Sequence, residues 1–278
     1  MRIYIWAVVS FLYLPIVTII WFSFNAAPNL SEFTGFTLKW YAAALSDRLA
    51  LEALRNSATI AVSTATFSIL VGIPAAISLI SLPKMVAKTI HTMLFIGLTI
   101  PGIVIGLATL VAFVSGFHLL GDILKSLTGD QSIRLSGLGL STVIAAHTLF
   151  CTSLVVELAT VRLRQLPRSL IEASADLGYR PVATLRTVTI PHLSPAIYTG
   201  FLLSLVLSFD EFIIAFFVSG PEPTLPIYLF GAVRRGATPE INAIVTFVLV
   251  ISVTCMLVAY VISRPILAAG QRRGTAED

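Results

Sequence analysis

The sequence predicts an all-α integral membrane protein built as a six-transmembrane-helix bundle. Of its 278 residues, 56% are hydrophobic and only 12% charged, whereas an ordinary soluble domain is about 45–50% apolar and about 25% charged. Mean hydropathy is +0.93. The apolar residues gather into windows near the ~20 residues that a spanning helix needs. A surface this apolar excludes both a soluble globular protein and a disordered one. Strict alternation over about ten residues, the barrel signature, does not occur. Lipid satisfies no backbone polar group, so the windows are read as helices that bond internally.

The first window runs from Tyr4 to Phe24. Its apolar stretch is too long for a secretory signal and no clean small-residue cleavage site follows it, so it reads as a retained helix. The second, Ser57 to Ile80, holds Pro74, and the third, Ile90 to Val114, holds Pro101. Both prolines are expected to bend their helices, which bundles tolerate. Gly102-Ile103-Val104-Ile105-Gly106 is a G-x-x-x-G that lets two helix backbones approach closely. The fourth window, Leu138 to Thr160, carries His147. That histidine either bonds a neighbouring helix or takes part in transport, since intramembrane ionisable groups are functional candidates. The fifth runs from Ala196 to Ser219 and contains Asp210 and Glu211; the sixth runs from Ile241 to Ser263. Cys151 and Cys255 fall within windows four and six and read as packing residues, with no disulfide framework.

Six spans put both termini on one side. Lysines and arginines divide 11 to 7 in favour of that side, which predicts cytoplasmic termini. The net charge of +4 is therefore an orientation signal and gives no reason to expect a nucleic-acid partner. No G-x-x-x-x-G-K-[ST] loop, H-E-x-x-H or paired C-x-x-C is present, so neither a phosphate cradle nor a metal site is expected. No internal repeat suggests an inverted-repeat transporter. The outer connections are Asn25 to Asn56, Ser115 to Gly137 and Gly220 to Glu240. In the last of these, Arg234-Arg235 are either solvated charges or partners for an acidic patch on a soluble receptor.

The longest cytoplasmic connection runs from Val161 to Leu193 and is polar and basic. Pro167 opens a short helix over Arg168 to Leu177, and Gly178 supplies the left-handed residue that closes it. Pro181 opens a second helix, Val182 to Thr187. Pro191 and Pro195 are expected to break the chain before the fifth span. Ala173, Ser174 and Ala175 are expected to be exposed at the bend. On punctuation alone this is an amphipathic hairpin lying on lipid headgroups.

The spacing says more. Glu172-Ala173-Ser174, Gly178, then Val188-Thr189-Ile190-Pro191 resembles the E-A-A–x3–G–x9–I-x-L-P signature of ABC importer permeases. Ser174, Val188 and Ile190 are mild departures, and every spacing is kept. The six-helix layout resembles the polyamine-type permeases of bacterial ABC importers. So does the segment Leu203 to Phe247, with Ser208-Phe209-Asp210-Glu211-Phe212, Gly220-Pro221, Leu225-Pro226 and Pro239-Glu240-Ile241-Asn242-Ala243. The resemblance covers almost the whole chain, most strongly from Arg164 onward.

The resemblance implies a type I permease fold, with one transmembrane domain over residues 1–278 and a coupling loop at about 161–193. Glu172 to Gly178 would dock in a groove on a cytoplasmic ATPase subunit, with Val188, Ile190 and Pro191 completing the coupling segment. Two copies of that ATPase, a second permease subunit and an extracytoplasmic solute-binding protein are implied as partners, in the bacterial inner membrane. ATP and magnesium would act on the ATPase, so this chain is not expected to be an enzyme or to hold a cofactor. The cargo would be a small cation such as spermidine or putrescine. Opines, other amines, phosphonates or iron are alternatives on the same fold.

Two adjacent carboxylates would not persist on a lipid face, because one mid-helix Asp costs roughly 2.5–3.5 kcal/mol. Asp210 and Glu211 therefore read either as a cation-attracting pathway wall or as a helix-end pair bonded to Arg234, Arg235 or backbone. Glu157 is placed at the cytoplasmic end of helix four. The rival classes are a secondary transporter, an intramembrane enzyme using Asp210, Glu211 and His147, and a structural membrane protein. The lack of repeats and the coupling loop argue against the first, the absence of any motif spacing against the second, and the loop's family spacing against the third.

Overall fold

The computed structural model describes residues 2–130, 137–254 and 257. Their regular structure is helical. The one β pairing among them is an isolated antiparallel bridge between Asn25 and Phe36. Among the described residues five helices are long and apolar enough to cross a membrane: Tyr4–Phe22, Arg48–Ser81, Gly102–Thr128, Leu140–Leu163 and the run Pro181–Asp210. Pro239–Thr254 is a shorter apolar helix. The end of the sixth window and Cys255 lie outside the described residues. By contacts the chain forms two compact units, residues 1–55 with 223–260, and residues 56–222 with 261–278.

In the first unit, α1 (Arg2–Phe22) leads into a compact turn organised by Asn25. The Asn25 side chain is fully buried. Its Nδ2 donates to the carbonyls of Asn29 (2.9 Å) and Glu32 (2.7 Å). Its Oδ1 accepts from the amides of Ala27 (3.2 Å) and Thr34 (3.1 Å). Trp40, on α2 (Lys39–Ser46), donates its indole N–H to the Asn25 carbonyl at 2.7 Å. Asp47 then caps α3 (Arg48–Ser81) by accepting from the amides of Leu49 and Ala50, at 2.8 and 3.1 Å. This satisfies two donors that a helix start leaves open. The unit is completed by α11 (Leu225–Arg235) and α12 (Pro239–Thr254). From α11, the Tyr228 hydroxyl donates to the second Asp47 oxygen.

The second unit holds the rest of α3 and then α4 (Lys84–Thr99), α5 (Gly102–Thr128), α6 (Leu140–Leu163), α7 (Arg168–Asp176) and α8 (Pro181–Thr184). A five-residue π turn, Leu185–Thr189, leads into α9 (Ile190–Asp210), and α10 (Ile213–Val218) follows. Its core joins Ile73, Ala76 and Leu79 of α3 to Val155, Val156 and Ala159 of α6 and to Leu193 and Ala196 of α9, with Ile90 and Leu94 of α4 packed against them. Close approach is set by glycine. A Cβ on Gly72 would lie 2.7 Å from a Val155 methyl, and one on Gly106 would lie 2.7 Å from the Phe217 ring. The G-x-x-x-G stripe thus seats α10 on α5.

Two windows are redrawn. The third, expected to run from Ile90 to Val114, is divided between α4 and α5, because Pro101 ends one helix and starts the next. A proline drives the residue before it out of the helical region, and Ile100 has ψ 132°. Pro101 therefore breaks the run where a bend was expected, while Pro74 sits inside an unbroken α3. The fifth, expected over Ala196 to Ser219, instead runs from Pro181 to Asp210, and its last part is the separate α10. Pro191 and Pro195 do not break the chain. The π turn, in which the Ile190 N–H donates to Leu185 O, shifts the carbonyl that the Pro191 ring would otherwise strike. One turn on, the Pro191 carbonyl, which Pro195 has no N–H to satisfy, accepts the Ser194 hydroxyl at 2.9 Å.

Candidate functional site

The predicted coupling segment is a helical hairpin at one end of the second unit. Pro167 caps α7 in extended conformation, with ψ 133°. At the other end of α7, Gly178 has φ +79°. The Tyr179 amide donates to Ser174 O at 3.1 Å and the Gly178 amide to Ala175 O at 2.9 Å. This crossed pair is the usual closure by a left-handed glycine. No atom lies within 4 Å of where a Gly178 Cβ would stand. Glycine is needed there for its backbone sign, not for room around a Cβ.

Glu172, Ala173 and Ala175 are exposed, but Ser174 is not, contrary to expectation. It is 6% exposed, and its hydroxyl bonds the buried Thr184 hydroxyl at 2.8 Å, clasping α7 to α8. Val188 lies half-buried in the π turn, and Ile190 and Pro191 begin α9 with exposed side chains. The hairpin is anchored at its base by a reciprocal pair. Arg162 Nε donates to His192 O at 3.2 Å, and His192 Nε2 meets Arg162 O at 3.0 Å. A carbonyl only accepts, so that ring nitrogen carries the proton.

Sequence reasoning missed three residues here. Leu177, Tyr179 and Val182 surround the Gly178 turn and are 76%, 48% and 76% exposed. Large apolar side chains grouped at the tip of a polar loop mark a contact surface. The available signal was their apolarity on either side of Gly178 and Pro181, where a solvated turn would carry polar residues.

Asp210 and Glu211 are adjacent but differently placed. Asp210 is the exposed last residue of α9. Glu211, with ψ 107°, turns the chain. Its Oε1 accepts from the amides of Ile213 (2.9 Å) and Ile214 (3.1 Å) at the start of α10. The same oxygen lies 3.7 Å from where a Gly102 Cβ would stand, at the first residue of α5. Glu211 thus sits at two helix N-termini, where a negative charge is favoured. His147 is 1% exposed, and its Nδ1 bonds the Ser208 hydroxyl of α9 at 2.8 Å. Glu157, 19% exposed at its side chain, meets His91 Nε2 of α4 at 3.1 Å. Among the described residues no three His, Cys, Asp or Glu side chains group as metal ligands would.

In the first unit, burial tends to raise the Asp47 carboxyl. The Tyr228 hydroxyl, the Ala50 and Leu49 amides and the Arg235 charge outweigh it and hold the group below the usual carboxylate value. Arg234 lies over the Phe230 ring, 5.3 Å from its centroid.

A polytopic helical bundle with a clasped hairpin between two of its long helices is the architecture of an importer permease. The chain belongs to the family described as binding-protein-dependent transport system inner membrane component, whose model matches residues 68–268. It is a multi-pass membrane protein and a permease subunit of the ABC importer class. It is 36% identical over 242 residues to the putrescine transport system permease protein PotI of Escherichia coli strain K12, covering 86% of this chain and 82% of that one. It is 32% identical over 259 residues to the spermidine/putrescine transport system permease protein PotC of the same strain, covering 93% and 91%. Among solved structures, a bacterial ABC transporter for import of the acidic polysaccharide alginate has a chain that superposes with a TM-score of 0.75 at 15% identity, covering 96% of this chain and 93% of that one. The methionine transporter MetNI gives 0.61 at 16% identity, covering 78% and 96%. The fold is therefore the type I importer permease fold, and the resemblance read from the signature residues agrees with it.

Proposed function

We propose that this chain conducts a polyamine, putrescine or spermidine, inward across the bacterial inner membrane, with both termini cytoplasmic. The observation that carries the cargo is the likeness to two polyamine permeases over 86% and 93% of the chain. Asp210 is the pathway carboxylate. It is exposed at a helix end, while Glu211 is already engaged by backbone amides and holds the break between α9 and α10 open. A carboxylate at an exposed helix end attracts a di- to tetra-cation.

The chain pairs with a sibling permease, two copies of a cytoplasmic ATPase and an extracytoplasmic solute-binding protein. ATP and magnesium act on the ATPase. Glu172 to Gly178 dock there: small Ala173 and Ala175 admit the helix closely, Glu172 offers a charge-assisted bond, and Leu177, Tyr179 and Val182 supply apolar contact. Nucleotide then biases a two-state bundle between inward-open and outward-open forms.

The test is a mild-detergent pull-down followed by uptake of labelled putrescine into vesicles holding the purified assembly. Co-purification of an ATPase and a second permease, with ATP-dependent uptake, supports the reading. Asp210→Asn is expected to lower uptake at subsaturating cargo about tenfold while cargo-stimulated ATP hydrolysis persists at saturation. Unchanged flux would remove Asp210 from the pathway, and a chain that purifies alone would remove the ATPase coupling.

A further inference from the structure

The packing of α3, α6 and α9 repeats in register. At one level Gly72 of α3, Val155 of α6 and Gly200 of α9 meet: Val155 methyls lie 2.7 Å from a Cβ placed on Gly72 and 3.4 Å from one placed on Gly200. Four residues along each helix, one turn further from the hairpin, stand Ser68, Cys151 and Ser204. Another four give Thr64, His147 and Ser208. Two contacts between α6 and α9 support this register: Cys151 Sγ meets Ser204 O at 3.8 Å and His147 Nδ1 meets Ser208 Oγ at 2.8 Å. All six residues in these two layers are at most 2% exposed.

Toward the hairpin the seam is mainly apolar, with Ile73, Ala76, Val156, Ala159 and Ala196 and one buried hydroxyl, that of Thr160. In the two polar layers the bonding is incomplete. Thr64 Oγ1, Ser68 Oγ, Ser204 Oγ and His147 Nε2 are buried with no hydrogen-bond partner. They are four of the seven such side-chain atoms among the described residues. Native proteins leave few buried polar groups unpaired, and four orphans in adjoining layers need a common partner.

We propose that these two layers form a built-in water site, with ordered water held by His147 Nε2 and the hydroxyls of Thr64, Ser68 and Ser204. The chemistry selects water. No carboxylate lies in the two layers to hold a cation, and no fixed positive charge to hold an anion. Hydroxyls and an imidazole offer both donors and acceptors, which a small amphiprotic molecule answers. Buried waters typically make about three hydrogen bonds. The bundle is then close-packed near the hairpin and hydrated in these two layers. Bonds through water exchange partners easily, so the hydrated half is where α9 can shift against α3 and α6.

Two measurements test this on the full chain, purified with its partners into lipid nanodiscs. The first is X-ray radiolytic footprinting, in which bound water generates hydroxyl radical in place. Cys151 is expected to be oxidised despite being fully buried, and several-fold more slowly in the Thr64→Val/Ser204→Ala variant. Exposed Met85 reports the dose. A Cys151 that stays unmodified while Met85 oxidises overturns the proposal, as does labelling indifferent to the variant. The second is the sign of the melting shift for Thr64→Val. A water-bonded hydroxyl predicts a lower melting temperature. A dry, unpaired one predicts a higher temperature, because the isosteric methyl removes its desolvation cost, and that outcome also overturns the water site.

Discussion

Replacing Gly178 separates two reasons for a glycine at the hairpin turn. Its φ is +79° and nothing lies within 4 Å of the Cβ position, so the demand is conformational. An L-residue in the left-handed region costs roughly 1–2 kcal/mol, Asn much less because it visits that region readily, and a β-branched residue more. A cost of 1–2 kcal/mol shifts the hairpin's open population by a factor of about 5–30. What opens is the crossed pair from Tyr179 and Gly178 to Ser174 and Ala175, and with it the presentation of Leu177 and Tyr179. The expected order of transport is therefore glycine, then Asn close behind, then Ala reduced several-fold, then Val near zero, with membrane insertion equal throughout. Vesicle uptake, immunoblotting of the membrane fraction and retention of the ATPase in pull-downs measure the three quantities. If Asn were as damaging as Val, side-chain room would be the cause and the conformational argument would fail. If Val transported normally, the hairpin would have no part in coupling.

Other positions give equally direct expectations. Gly72→Ala should destabilise the assembly by about 1–3 kcal/mol through overpacking, because Val155 is backed by Gly200 and has nowhere to move; adding Val155→Ala should recover much of the melting temperature, and a lack of rescue would disprove that contact. Ser174→Ala should cost about 1 kcal/mol by leaving the buried Thr184 hydroxyl unpaired, whereas Ser174→Ala with Thr184→Val should cost less than either single change, read as ATP-dependent uptake after mild heating. The depressed Asp47 carboxyl contributes stability that is complete above the ordinary carboxylate pKa of about 3.9 and is lost as pH falls below it through the folded value. Tyr228→Phe should move the onset of acid unfolding to higher pH, and an unmoved onset in an acid melt would show that the phenol does not support the cap.

Much of this fold was legible because lipid imposes one rule, that long apolar runs are helices. The hairpin was legible because its punctuation is local: Pro167, Gly178 and Pro181 act where they stand. The errors came where a proline's effect depends on what surrounds it. Pro101 breaks a run because nothing replaces the helical conformation lost at Ile100. Pro191 and Pro195 leave the helix intact because a π turn and the Ser194 hydroxyl absorb the damage. Ser194 is visible in the sequence beside Pro195, but the widened turn is not, since no residue type in Leu185–Thr189 marks a π turn.

The acidic pair teaches the same distinction at the site. Sequence sees two neighbouring carboxylates in an apolar window and must treat them alike. The break after Asp210 separates them. Glu211 turns back onto the Ile213 and Ile214 amides beside the first residue of α5, so its charge is spent on two helix ends, and Asp210 is left exposed. One carboxylate fixes the geometry of a helix break and the other stands free at its edge. The apolar window tolerates both because neither lies in the middle of a helix, and that is why the translocation cost that first marked them as improbable does not apply.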